Sequence, residues 1–301
     1  MRAYRLALSS GQQWCVIDAT HTYPLFKELF GVLGLSVCGQ PFFPAVALFE
    51  AAHVHSETKI QEIVSQFDFP PSRWHRCYAR GAEWWVSDTI PAQALCLLPP
   101  GPADQIIPQQ LYHIISGIFF NVYRRLLDRG GISLHAALLE HMGRGALIVA
   151  PSGTGKTTCY QRVPRPWQGL CDEEALVSPD LPRLWQAHPM INITDFAVRG
   201  RRIQHDIQQG YPLKGLYFLE HGCSDSVMLL GKGEASARLF RATTEVFVRY
   251  RGWHCYQKDK YRLRQFENAS ALARNVPCYK LAATLTGKFW EKIEPTLSHG
   301  Q

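Results

Sequence analysis

Ala150-Pro151-Ser152-Gly153-Thr154-Gly155-Lys156-Thr157 decides the reading of this chain. Two glycines in a short polar turn let backbone N–H groups point inward at an anion. A lysine at Lys156 can reach the β- and γ-phosphates of a nucleotide, and the Thr157 hydroxyl can meet Mg²⁺. The context on either side agrees. Ala146-Leu147-Ile148-Val149-Ala150 is a short apolar run, as a buried strand requires. Lys156 to Arg162 can open a helix whose first turn faces the phosphates. Ala150 stands where the pattern has its first glycine, a small departure. The stretch therefore predicts strand, phosphate-binding loop and helix in that order, with ATP and Mg²⁺ as the ligands.

Upstream, Pro108 opens a helical pattern in which Leu111, Ile114, Ile115, Ile118, Phe119, Val122, Tyr123, Leu126 and Leu127 recur at three- and four-residue steps. Gly130-Gly131 ends it. Ile132-Ser133-Leu134-His135-Ala136-Ala137-Leu138-Leu139-Glu140 then reads as one strand. A turn at Gly143-Arg144-Gly145 pairs it as a hairpin with the strand that enters the loop. His135 stands out because its strand leads directly to the loop. Downstream, Val163-Pro164-Arg165-Pro166 stops the helix, and Gly169 to Val177 reads as a strand with acids at its centre. Acids beside a phosphate loop can hold Mg²⁺ or take a proton from an attacking hydroxyl.

Before these segments the chain is β-rich. Trp14 to Ile17, Arg76 to Arg80, Glu83 to Ser87 and Ala94 to Leu98 read as strands, the middle pair as a hairpin around Gly81. Pro44 argues against a central strand in the apolar run from Phe42 to Phe49. Pro99-Pro100-Gly101-Pro102 is the strongest breaker and the predicted linker. Residues 1–102 are thus expected to form an N-terminal α+β region, and residues 103–301 the loop-bearing domain with a C-terminal extension. Leu184 to His188 and Gly215 to Leu219 read as further strands, and Glu234 to Arg241 as a helix. Pro277 to Trp290 reads as strand and turn. Asn192-Ile193-Thr194-Asp195 lacks the lysine of a guanine-reading motif. Arg199, Arg201 and Arg202 form a basic cluster that could meet phosphate, and Arg249 to Arg264 a basic, aromatic stretch.

The charge balance of +7 favours anionic ligands but is too diffuse to argue for nucleic acid. The nine cysteines are scattered and never spaced as CxxC, which predicts reduced thiols in a cytoplasmic protein. His53, His55, His254 and Cys255 lack companions at zinc-ligand spacing. No apolar run approaches a membrane span, and no signal-peptide core follows Met1.

The segment Leu134 to Glu140, the Gly143–Gly145 turn, Ser152 to Thr157 and Leu170-Cys171-Asp172-Glu173 resemble the HPr kinase/phosphorylase catalytic domain. The longer pattern adds Pro166-Trp167, Ala187-His188-Pro189 and Phe218-Leu219-Glu220. It resembles the HPr-kinase-related ScmC group, encoded with radical-SAM peptide-modifying enzymes. The resemblance implies an α/β fold, an HPr-kinase-like P-loop domain with a mixed sheet. It implies that Ser152, Gly153, Thr154, Gly155, Lys156, Thr157 and Thr158 hold the triphosphate. Asp172 would be the acid/base at the acceptor hydroxyl. Glu173 would help Thr157 and Asp172 hold Mg²⁺, and His135 would sit beside the transferring phosphoryl group. The pair here is Asp-Glu where that family has Asp-Asp. The implied activity is an ATP-dependent kinase acting on a Ser or Thr hydroxyl of a peptide precursor or small carrier protein. Radical-SAM maturation enzymes are the implied partners, without nucleic acid or membrane. A nucleotide-binding accessory protein and a small-molecule kinase are the alternatives.

Overall fold

The structure is a computed structural model that describes residues 1–20, 24–50, 56–67, 69, 72–79, 82–88, 93–98, 108–180, 184–197, 199, 205–249 and 258–298. The chain forms two compact units. The first comprises Met1–Arg125, Ile193–Gln208 and Tyr250–Gln257, and the second Leu126–Asn192, Gln209–Arg249 and Lys258–Gln301. The proline-rich stretch expected as a linker, the Gly81 turn, His53, His55, Arg201, Arg202, His254 and Cys255 lie outside the described residues.

The first unit runs β1 (Arg2–Ala7), β2 (Gln13–Ala19), α1 (Pro24–Val32), β3 (Ser36–Cys38), β4 (Ala45–Glu50), α2 (Glu57–Val64), β5 (Trp74–Ala79), β6 (Ala82–Ser87) and β7 (Ala94–Leu98). Its strands make a mixed sheet in the order β3-β1-β2-β4-β7-β6-β5, parallel at β2/β4 and β4/β7. Alternation along each strand sends residues to opposite faces. Ala3, Cys15, Ile17, Ala47 and Leu95 pack with Ile60, Ile63 and Val64 of α2. Tyr4, one residue on from Ala3, meets Phe30 of α1 with ring centroids 4.7 Å apart. The strand after Pro44 is central, contrary to the sequence expectation. Pro44 stands just before its first residue, where its carbonyl still accepts from the Cys15 N–H at 2.9 Å and no ladder donor is lost.

Helix α3 (Pro108–Asp128) follows the predicted periodicity, and its stripe from Leu111 to Leu127 is buried. All but the last residues of α3 belong to the first unit, and the second then runs β8 (Ile132–Leu134), β9 (Ala136–His141), β10 (Arg144–Val149), α4 (Lys156–Arg162), β11 (Gln168–Cys171), β12 (Ala175–Pro179) and β13 (Trp185–Pro189). After α5 (Ile193–Ala197), which belongs to the first unit, come β14 (Tyr211–His221), β15 (Ser226–Leu229), α6 (Lys232–Arg249), α7 (Lys258–Asn275), β16 (Cys278–Ala283) and α8 (Phe289–Leu297). The architecture is α/β with mixed sheets. Strand β14 is shared: Tyr211 and Pro212 pair with β13, and its later residues run parallel to β10 and β16. One ladder runs β11-β9-β10-β14-β16-β15 and the other β14-β13-β12-β8.

The hairpin β9–β10 forms as expected, but its turn is Met142-Gly143, both at positive φ (50° and 78°). Such a two-residue turn matches the twist of paired strands, so Arg144 and Gly145 already belong to β10. One face of the sheet carries Ala137, Leu139, Ala146, Ile148, Tyr217, Leu219 and Leu281 against Cys159 of α4, Trp167 and Phe289, Ile293 and Leu297 of α8. The stretch from Pro277 to Trp290 was expected to be strand and turn, but its last two residues open α8. The 289/293/297 spacing instead buries one helical stripe, with Pro295 inside it. Among the described residues no helix is long and apolar enough to cross a membrane.

Candidate nucleotide-binding site

β10 buries Ala146 to Ala150 and releases the chain into an open loop, with Pro151, Ser152 and Gly153 exposed. Gly153 (φ 79°) and Gly155 (φ 105°) occupy left-handed conformations that side chains disfavour. Nothing lies within 4 Å of where a Cβ on Gly153 would stand. The loop closes on itself: Thr154 N–H reaches the Pro151 carbonyl at 3.4 Å, and Cys159 N–H the Gly155 carbonyl at 2.9 Å. Lys156 is buried, and a buried ammonium must be hydrogen-bonded. Its Nζ donates to the carbonyls of Ala150 (2.6 Å) and Pro151 (3.0 Å), folding the charge back over the root of the loop. Thr157 is exposed on the first turn of α4 and Thr158 half-buried.

His135 and the acids are not inside strands. His135 is the bend between β8 and β9, and Asp172-Glu173-Glu174 the bend between β11 and β12. The chain changes ladder at both places. Both sides of the gap keep one register, with Leu134 opposite Ala175 and Leu138 opposite Cys171. The acidic bend is held locally. The Cys171 thiol donates to the Glu174 carbonyl at 3.1 Å, which also accepts from Met190 N–H at 3.1 Å.

The register also brings these breaks to the loop. β9 is antiparallel to β10 and β11, with Ala136 opposite Val149. The start of β9, the end of β10 and the end of β11 therefore share one end of the sheet. His135, the loop and Asp172-Glu173 emerge there from three adjacent strands. Asp172 and Glu173 are half-buried, so the expectation of a carboxylate enclosed in an apolar strand is corrected. Glu174 is the buried acid of the three.

Sequence reasoning assigned no role to four other residues here. Tyr160 on α4 packs over Gly169, where an added Cβ would come within 2.5 Å of its ring. Burial raises its phenol pKa, and the Asp172 charge raises it further, so α4 brings this hydroxyl near the acid. Glu220 lies beyond the Phe218–Val149 pair at the same end of the sheet. It accepts from Lys280 Nζ (2.6 Å) and Arg238 Nη1 (2.9 Å), which hold its carboxyl below the usual range. Neighbouring Leu219 reaches 4.0 Å from the Cβ position of Gly155. Glu245 of α6 lies 3.6 Å from His135 Nδ1. The run Leu216 to Glu220, apolar and ending in an acid, was the available signal for Glu220.

Arg199 lies in the first unit, paired with Asp195 at 2.6 Å. Among the described residues, no three of His, Cys, Asp and Glu gather as a metal-holding group. Thr157, Asp172 and Glu173 offer oxygens of the kind Mg²⁺ takes when phosphates complete its shell.

No curated protein matches the chain. One family model, described as SynChlorMet cassette protein ScmC, matches residues 109–298.

Proposed function

Because the chain belongs to the SynChlorMet cassette protein ScmC family, we propose that it acts within such a cassette as an HPr-kinase-like, ATP-dependent kinase. Its acceptor is a Ser or Thr hydroxyl of a peptide precursor or small carrier protein, and radical-SAM maturation enzymes are its partners. One observation carries this reading: three adjacent strands deliver a glycine-and-lysine loop, a histidine and an acidic pair to one end of the sheet.

The loop residues Ser152 to Thr158 hold the triphosphate through backbone N–H groups. Lys156 exchanges its two carbonyl partners for phosphate oxygens, a stronger, charge-assisted pairing. Thr157, Asp172 and Glu173 would hold Mg²⁺, which would neutralise phosphate charge. Asp172 takes the proton of the acceptor hydroxyl as its oxygen bonds to the γ-phosphorus. The bond from that phosphorus to the bridging oxygen breaks, and ADP leaves with the electron pair. The half-exposed position of Asp172 suits a group that must meet a substrate hydroxyl.

Incubation with labelled ATP, Mg²⁺ and the cassette's precursor peptide, followed by mass spectrometry, tests the reading. Phosphate on a Ser or Thr side chain is expected. Nucleotide bound without transfer to any peptide would replace it with an accessory, nucleotide-binding role.

A further inference from the structure

Helix α6 reaches the end of β14 and the bend just before β9. Its Arg238 guanidinium binds Glu220 at 2.9 Å and lies 5.6 Å from the Phe218 ring, at the end of β14. Its Glu245 Oε2 lies 3.6 Å from His135 Nδ1, just before β9. Seven residues separate Arg238 and Glu245, so they share a helix face about 10.5 Å apart. β9 and β14 are two steps apart in the sheet, about 9.6 Å. The two lengths agree. α6 therefore spans from the end of β14 to the bend before β9.

This placement gives Glu245 a task. The imidazole of His135 is buried, with only 3% of the residue exposed, and a buried ring needs its tautomer set by what surrounds it. The carboxylate beside Nδ1 comes from α6. We propose that Glu245 is a positioning residue: it holds the proton of His135 on Nδ1 and so leaves the acceptor lone pair on Nε2. What Nε2 then serves, contact with the acceptor hydroxyl or the transferring group, rests on the phosphotransfer reading. The orientation itself does not.

The test uses the full chain with ¹⁵N-labelled histidine, at a pH where the ring is neutral. His135 is expected to show the Nδ1–H tautomer. Glu245→Ala should shift it towards Nε2–H, and Glu245→Asp should restore it in part. Glu245 is partly exposed, so both variants are expected to fold. In turnover, Glu245→Ala should lower kcat about tenfold or more, leave KM for ATP unchanged, and be rescued in part by Glu245→Asp. An identical tautomer in wild type and Glu245→Ala overturns the proposal. A tautomer shift with unchanged kcat overturns the positioning role. Wild-type protein that transfers no phosphate removes the phosphotransfer reading, while a tautomer shift in that protein still supports orientation by Glu245.

Discussion

At the scale of the residue, Asp172 and its neighbours separate catalysis from architecture. The carboxylate is half-buried, lies at the break between two strands, and raises the pKa of the Tyr160 phenol. Asp172→Asn keeps the shape and removes the charge. Phosphoryl transfer should fall by about 10²–10⁴-fold, with the fold intact. The Tyr160 phenol should titrate lower in the same variant, because the charge that opposes its ionisation is gone. A folded Asp172→Asn protein with normal turnover would remove Asp172 from the mechanism. An unchanged Tyr160 titration would remove the proximity. The loop glycines make a second prediction. Gly155→Ala forces a Cβ into a left-handed conformation at φ 105°, at a cost of about 1–2 kcal/mol. Thermal unfolding should register that loss, and an unchanged melting temperature would contradict the loop conformation.

Between elements, β11 and α4 approach closely at Gly169. A Cβ on Gly169 would stand 2.5 Å from the Tyr160 ring and 2.8 Å from its carbonyl. Gly169→Ala should therefore destabilise the protein by about 1–3 kcal/mol, measured by denaturant unfolding. It should also weaken transfer more than Gly143→Ala, since β11 carries Asp172. What was legible in the sequence follows the same physics. The helix from Pro108 and the strand–loop–helix around Lys156 were visible because their apolar periods are unbroken and their stops are proline and glycine. The breaks at His135 and at Asp172–Glu174 were not. Each joins strands that are buried where they meet the bend, and no glycine or proline marks the place where the chain changes ladder. Glu220 and Glu245 were hidden for another reason. The Arg238 that meets Glu220 is 18 residues away, and His135 meets Glu245 only through the crossing of α6. No local spacing records such pairs. In α8, the 289/293/297 stripe was present in the sequence, but it runs past Trp290, where the predicted turn ended.

Across the whole molecule, the thiols report on packing. Among the described cysteines all are free, and Cys223 alone is exposed. Burial pushes the thiol of Cys159 up to about 11 and those of Cys171 and Cys278 up to about 12. Of these four, Cys223 should be alkylated first near neutral pH, and peptide mapping checks the order. The folded state retains these three protons where the unfolded chain, with thiols near 9, would release them. That stability is full below pH 9 and is lost as pH rises towards 11 and 12. Urea midpoints should accordingly fall across that window.

The loop from Ser152 to Thr158 is the feature on which every functional proposal depends. Calorimetric titration of the full chain with ATP and Mg²⁺, beside the Lys156→Ala variant, tests it most directly. Wild-type protein should bind, and the variant should lose affinity by about tenfold or more while keeping its fold, because one charge-assisted phosphate contact is gone. Equal affinity in the two proteins, or no binding by the wild type, would contradict the assignment of residues 152–158 as a triphosphate site.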